Sequence, residues 1–310
     1  MLAPLGPVGR TALFVFALLV LSSAAVFLLR RVHPEGNFAE LRARVRSWWI
    51  MAALFFAAVA LGSRLSIWFF GFLSFWAMKE YITLLKTRPA DHGGLVLLFL
   101  SIPIQYYWIA TGWYGMFVVF IPVYIFLLLP VRLVLARETS GFVASASQMQ
   151  WGLMAFVFGL SHLAFLRELP VRANTQASGR TLILFLVFVT EISDVLQYVW
   201  GKTLGRHKVI PTVSPNKTWE GLLGGIASTL ALSLTLRWLT PFSVPETLLA
   251  ALIITAAGFC GGAVMSAVKR DFGVKDFGDT IPGHGGVLDR VDSLCYAAPL
   301  FFHYVRYYYY

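Results

Sequence analysis

The sequence predicts an all-α, polytopic integral membrane protein with about ten transmembrane helices. Three observations predict it. First, 58% of the residues are hydrophobic and only 13% are charged, against about 45–50% and about 25% in an ordinary soluble domain. A soluble fold of 310 residues would need more polar surface to cover itself. Second, apolar stretches near the ~20 residues needed to cross a bilayer recur along the chain, separated by short polar loops. Third, the basic residues gather in alternate loops, as expected when positive loops stay on the cytoplasmic side.

The predicted spans are roughly 11–29, 47–62, 66–85, 94–112, 115–134, 148–166, 181–200, 219–240, 246–268 and 290–308. The first is too long for the short apolar core of a signal peptide and reads as a retained helix. Only Gly62-Ser63-Arg64 separates the second from the third. With ten spans, 18 of the 25 Lys and Arg lie in the loops after the odd-numbered ones and 7 on the other side. That split places loops 201–217 and 269–289 together on the cytoplasmic face of a bacterial-type inner or plasma membrane. Segment 167–180, with Arg167, Arg172 and Arg180, runs against it. Residues 1–180 form an N-terminal set of helices and 181–310 a C-terminal set, within one structural domain. The net charge of +10 sits in these loops, so it points to membrane lipids and not to nucleic acid. Cys260 and Cys295 lie in apolar stretches and read as buried thiols.

Polar chemistry concentrates in two places. Residues 266–292 hold five of the fifteen acids: Asp271, Asp276, Asp279, Asp289 and Asp292. Lys269, Arg270, Lys275 and Arg290 lie among them. Pro282-Gly-His-Gly-Gly286 frees the backbone of side-chain bulk and can turn successive N–H groups toward a phosphate. Carboxylates are hard ligands for Mg²⁺, which takes one or two of them together with substrate phosphates. Asp289 and Asp292, three apart at a helix start, share a face. The combination describes a metal–nucleotide site. The second island is Glu191 and Asp194 within an apolar run, where charge is costly unless partnered. The loop beyond it reaches Ser214-Pro-Asn-Lys-Thr-Trp-Glu-Gly221, a turn feeding a helix N-terminus. Gly201-Lys202-Thr203 is no P-loop, because Leu196 stands where that motif needs glycine. Gly221 with Gly225, and Gly258 with Gly262, suit close helix packing. His162 reads as a core residue, the aromatic tail Tyr304 and Tyr307–Tyr310 as an interfacial belt, and Arg42-Ala-Arg-Val-Arg46 as a headgroup contact or an orientation signal.

Ser266-x-x-Lys269-Arg270, Lys275-Asp276, Pro282-Gly-His-Gly-Gly286 and Leu288-Asp-Arg-x-Asp292 resemble the signature of the phosphatidate cytidylyltransferase (CDP-diacylglycerol synthase) family. Asp194 and Ser214–Gly221 resemble its second block. The resemblance implies transfer from CTP to phosphatidate, giving CDP-diacylglycerol and diphosphate in phospholipid biosynthesis. It implies catalytic roles for Lys269, Asp276 and Asp289. It implies nucleotide contacts from Ser214, Lys217, Ser266, Arg270, Gly283, His284, Gly285, Gly286 and Arg290. Mg²⁺ would lie among Asp194, Asp276, Asp289 and Asp292, with a second cation an open alternative. A second copy of the chain is a candidate partner. One position departs: the family carries Asp four residues before Ser266, and this chain has Gly262. Two alternatives stay open, transfer to an isoprenoid-ether phosphatidate and a catalytically impaired binding descendant.

Overall fold

Ten helical rods, counted among the described residues, build the protein. The computed structural model describes residues 6–33, 37–169 and 177–309, so Arg172 and Tyr310 lie outside it. The first four rods are α1 (Pro7–Val32), α2 (Ala39–Leu61), α3 (Ser63–Leu84) and α4 (His92–Ala110). The fifth joins α5 (Tyr114–Val119) to α6 (Phe126–Val134) through the wider π-helical turn Phe120–Ile125. The sixth joins α7 (Phe142–Gly152) to α8 (Leu160–Glu168) through a second such turn, Leu153–Gly159. Then come α9 (Gly179–Thr203), a hairpin of β1 (Lys208–Ile210) and β2 (Ser214–Thr218), α10 (Trp219–Thr235), α11 (Val244–Asp271) and α12 (Leu288–Tyr309). Helices dominate because, in lipid, a helix satisfies its own backbone polar groups.

Seven rods are long and apolar enough to cross a membrane. Length and composition alone do not confirm the expected count of about ten, because α3, α10 and α12 fall outside that set. The 17 residues of α10 rise about 26 Å, short of a hydrocarbon core of about 30 Å. In α3 and α12, serines, tyrosines and charged residues dilute the apolar content.

Side-chain caps start α10 and α11. Thr218 Oγ1 accepts from Gly221 N at 3.1 Å and starts α10. Glu246 accepts from Ser243 N at 2.7 Å and starts α11. Each satisfies an orphan group of the first turn. The segment read as a turn before Lys217 is instead strand β2, with Ser214 opposite Ile210 and Thr218 opposite Lys208.

One core runs from Leu19 to Val305. α12 packs on α11, α9, α8 and α3, so it reaches back across the sequence as far as α3. At Gly221 an added Cβ would stand 2.8 Å from Gln197 O and 3.0 Å from Gly201 Cα, the close approach expected of small residues between helices. His162 is buried among Phe117, Phe158 and Phe302, with Nδ1 2.8 Å from Phe158 O, a core histidine as expected. Cys295 is buried, but Cys260 is exposed on α11, contrary to expectation. Helix α1 leans mainly on α2, leaving Leu13, Phe14, Leu18, Leu21, Phe27 and Leu28 exposed.

Candidate active site

The loop between α11 and α12 is folded around two carboxylates. Gly283 and Gly285 have φ of +77° and +76°, a region glycine enters without steric cost. They let residues 282–285 form a tight turn closed by Ile281 N donating to Gly285 O at 2.8 Å. Below it, Asp289 is almost fully buried. Its Oδ2 accepts from Phe277 N at 2.8 Å and Gly286 N at 3.0 Å, and its Oδ1 from Lys269 Nζ at 2.8 Å. Asp289 therefore brackets the two ends of the loop and ties them to α11.

The second carboxylate comes from the other end of the sequence. Glu80, in α3, is 6% exposed. It accepts from Thr280 Oγ1 at 2.8 Å, Val287 N at 3.0 Å and Leu288 N at 2.8 Å. A carboxylate can accept about four hydrogen bonds, and here it caps the first backbone groups of α12. Helix α2 supports the outer side of the turn. Ser47 Oγ donates to Pro282 O at 2.9 Å, Trp48 meets the His284 ring edge-on at 5.9 Å, and Gly283 packs against Arg44. Burial lowers the His284 imidazole below its ordinary value.

A second polar cluster lies where α9, β2, α11 and α12 meet. Ser293 Oγ donates to Asp194 Oδ2 at 2.9 Å and lies 3.4 Å from Asp292 Oδ1. Lys217, at the end of β2, donates to Phe259 O at 3.0 Å and sits over the Phe259 ring at 4.4 Å. Burial lowers its ammonium below the ordinary lysine value, against the opposing pull of Asp194 and Asp292. Gly262 forms the floor. A Cβ there would stand 3.1 Å from Lys217 Nζ and 3.6 Å from Ser293 Oγ. Glu191 lies within electrostatic reach of Asp194, Asp292 and Arg290.

The residues expected at the site thus fall into two linked groups. Asp276, Asp289, Lys269 and Gly283–Gly286 surround the turn, with Asp276 against Gly285. Lys217 and Ser293 stand over Gly262, and Ser293 links them to Asp194 and Asp292. The expected four-acid metal cluster is not assembled: among the described residues no group of three or more His, Cys, Asp or Glu is placed to hold a metal. Three donors already claim Asp289, and Asp276 stands apart at the turn against Gly285, which leaves Asp194 and Asp292, drawn to one hydroxyl, as the carboxylate pair. Ser266 turns back on its own helix and donates to Gly262 O at 2.7 Å. Ser214 lies at the far end of β2 from Thr218. Arg270 and Arg290 are exposed beside the two groups. Glu80 escaped the sequence reading, because one acid next to Lys79 in an apolar helix signals nothing about a loop 200 residues away.

Paired carboxylates, a half-buried lysine and a glycine turn thus lie together among the helices. The sequence profile of the Cytidylyltransferase family matches residues 42–308. The chain belongs to that family. It is similar to the uncharacterized protein YnbB of Escherichia coli (strain K12), at 44% identity over 294 residues, covering 94% of this chain and 96% of that one. It is also similar to the phosphatidate cytidylyltransferases of Staphylococcus saprophyticus subsp. saprophyticus and Staphylococcus aureus (strain COL), at 40% identity over 129 residues. Those matches cover 41% of this chain and 50% of each enzyme, so the chain spans about half the length of the staphylococcal proteins it matches.

Proposed function

We propose that the protein transfers a cytidylyl group from CTP to phosphatidate, releasing diphosphate and leaving CDP-diacylglycerol in the membrane. A phosphate oxygen of phosphatidate attacks the α-phosphorus of CTP. A new P–O–P bond forms, the bond to the β-phosphate breaks, and diphosphate leaves. The nucleophile is already an anion near neutral pH, so the protein needs no strong base. Its task is to bring two anions together and to stabilise the charge that builds on the leaving group.

The observation that carries this reading is the meeting of Asp194 and Asp292 at Ser293 Oγ, beside Lys217 and Gly262, about two turns of α11 from the Lys269–Asp289 pair. Lys217 and Lys269 supply positive charge to the nucleotide phosphates, and the Gly283–Gly286 turn offers backbone N–H groups. Two carboxylates sharing a hydroxyl fit Mg²⁺, which completes its shell with water and substrate phosphate. Asp194 and Asp292 would hold it, and it would supply charge neutralisation at the phosphates. Asp289 and Glu80 act as positioning residues that shape the turn. The active site faces the cytoplasm, where CTP is found, and the lipid reaches it sideways between helices.

Gly262 favours a second reading, an impaired descendant that binds CTP with little turnover. Purified protein given CTP, Mg²⁺ and phosphatidate separates the two. Diphosphate release that depends on the lipid supports transfer. CTP binding without release supports the descendant. Release only with an isoprenoid-ether phosphatidate would change the acceptor and keep the chemistry.

A further inference from the structure

The cleft between α1 and α2 is a cavity of about 390 Å³ that the transfer site does not use. Arg30, from the last turn of α1, and Arg42 and Arg46, from α2, stand at its rim over Val26, Phe27 and Trp49. Trp49 Nε1 donates to Ser23 Oγ at 3.1 Å and holds the two helices together at its base. Among the described residues no carboxylate pairs with any of the three arginines: Glu40 is taken by Arg44 at 2.5 Å. Three unpaired guanidinium groups above an apolar floor call for an anion with an apolar body.

Helix geometry separates this cavity from the loop. At about 100° per residue, Arg42, Val45, Arg46 and Trp49 fall on one face of α2. Arg44, Ser47 and Trp48, which touch the turn at Pro282–His284, fall on the opposite face. The exposed apolar side of α1, with Phe27 and Leu28, continues outward from the cavity as a surface for acyl chains.

We propose that this cavity binds an anionic phospholipid as an accessory ligand, its phosphate held by Arg30, Arg42 and Arg46 and its chains laid along α1. Basic pockets between transmembrane helices suit such headgroups, and arginine matches phosphate with a planar fork of donors. The lipid is distinct from the acceptor of the transfer reaction, because α2 stands between the cavity and the turn. The proposal is independent of whether the protein turns over CTP.

The test uses the full chain in detergent, with phosphatidylglycerol and phosphatidylcholine added in turn and bound lipid read by native mass spectrometry. Wild type should retain phosphatidylglycerol in preference. Arg42→Gln/Arg46→Gln should reduce that retention about tenfold, and Arg30→Gln, on the other helix, should reduce it by a smaller factor. Arg64→Gln, far from the cavity, should leave it unchanged. Melting temperature and CTP binding should be preserved in all three, which separates loss of the site from loss of fold. Equal retention of the two lipids, undiminished retention in both cavity variants, or displacement of the lipid by millimolar inorganic phosphate alone would overturn the proposal. The last outcome would mark a free-anion site.

Discussion

A carboxylate introduced at Gly262 would find a cation waiting, because its Cβ would lie 3.1 Å from Lys217 Nζ. Gly262→Asp should therefore fold without Mg²⁺ and keep its melting temperature. With Mg²⁺ it would add a third carboxylate to Asp194 and Asp292. One well-placed electrostatic contact is commonly worth about 10²–10³ in rate, so turnover should rise by roughly that factor, with a smaller change in CTP affinity. Equal turnover of the two forms would show that the position is not needed. Lys217 itself offers a second test. Burial lowers its pKa in the free protein, and a neighbouring phosphate would raise it again. Between those two values CTP binding takes up a proton, and affinity falls as pH rises through the window. Calorimetry at alkaline pH in two buffers of different ionisation enthalpy should detect the uptake in wild type and not in Lys217→Met. Proton-neutral binding by wild type would remove Lys217 from the phosphates.

The loop between α11 and α12 shows what a sequence reveals about an element and what it conceals. Its polarity stood out against an apolar chain, and the glycine pattern of residues 283–286 foretold the turn that the positive φ angles confirm. The use made of Asp289 was hidden. Spacing put it on one face with Asp292 and suggested a shared metal, but its oxygens turn toward Phe277 N, Gly286 N and Lys269. Nothing local distinguishes a ligand from a bracket, since both are buried acids in a glycine-rich loop. The two roles predict different things. As a bracket, Asp289→Asn should lose about 1–3 kcal/mol of stability with or without Mg²⁺, because an amide cannot accept all three bonds. As a metal ligand, its loss would show only when metal and CTP are present. Thermal melts in the presence of chelator decide between them. Glu80→Gln, which also leaves a buried donor short of an acceptor, should open the same loop. Limited proteolysis should then cut within residues 278–286 faster than in wild type, and an unchanged cleavage rate would count against that anchor.

Across the whole molecule, the membrane class was legible from composition, while the number of crossings was not. Hydropathy windows treat each helix alone, but α3, α10 and α12 bury polar and aromatic faces against neighbours. Apolar content and burial part company there. Residues 1–180 and 181–310 were read as two helix sets of one domain, with the recognisable chemistry in the second. The site draws Glu80 and Ser47 from the first, and α12 closes on α3 and α8. A protein made of residues 181–310 alone should therefore fail to bind CTP, and supplying 1–180 as a separate chain should restore part of the binding. Binding by the isolated fragment would show that the N-terminal helices do not shape the site.

The bonds of Glu80 also fix an order of events during biosynthesis. Its partners Thr280, Val287 and Leu288 lie 200, 207 and 208 positions later in the chain. A ribosome adds about 5–20 residues per second, so the Glu80 carboxylate waits at least about ten seconds for them. During that time it must stay hydrated or borrow another donor at the membrane surface. The loop cannot close on Glu80 until α12 is in place, and a nascent chain that stalls earlier lacks these bonds. Closure of the loop thus depends on α12 having come to rest against α3.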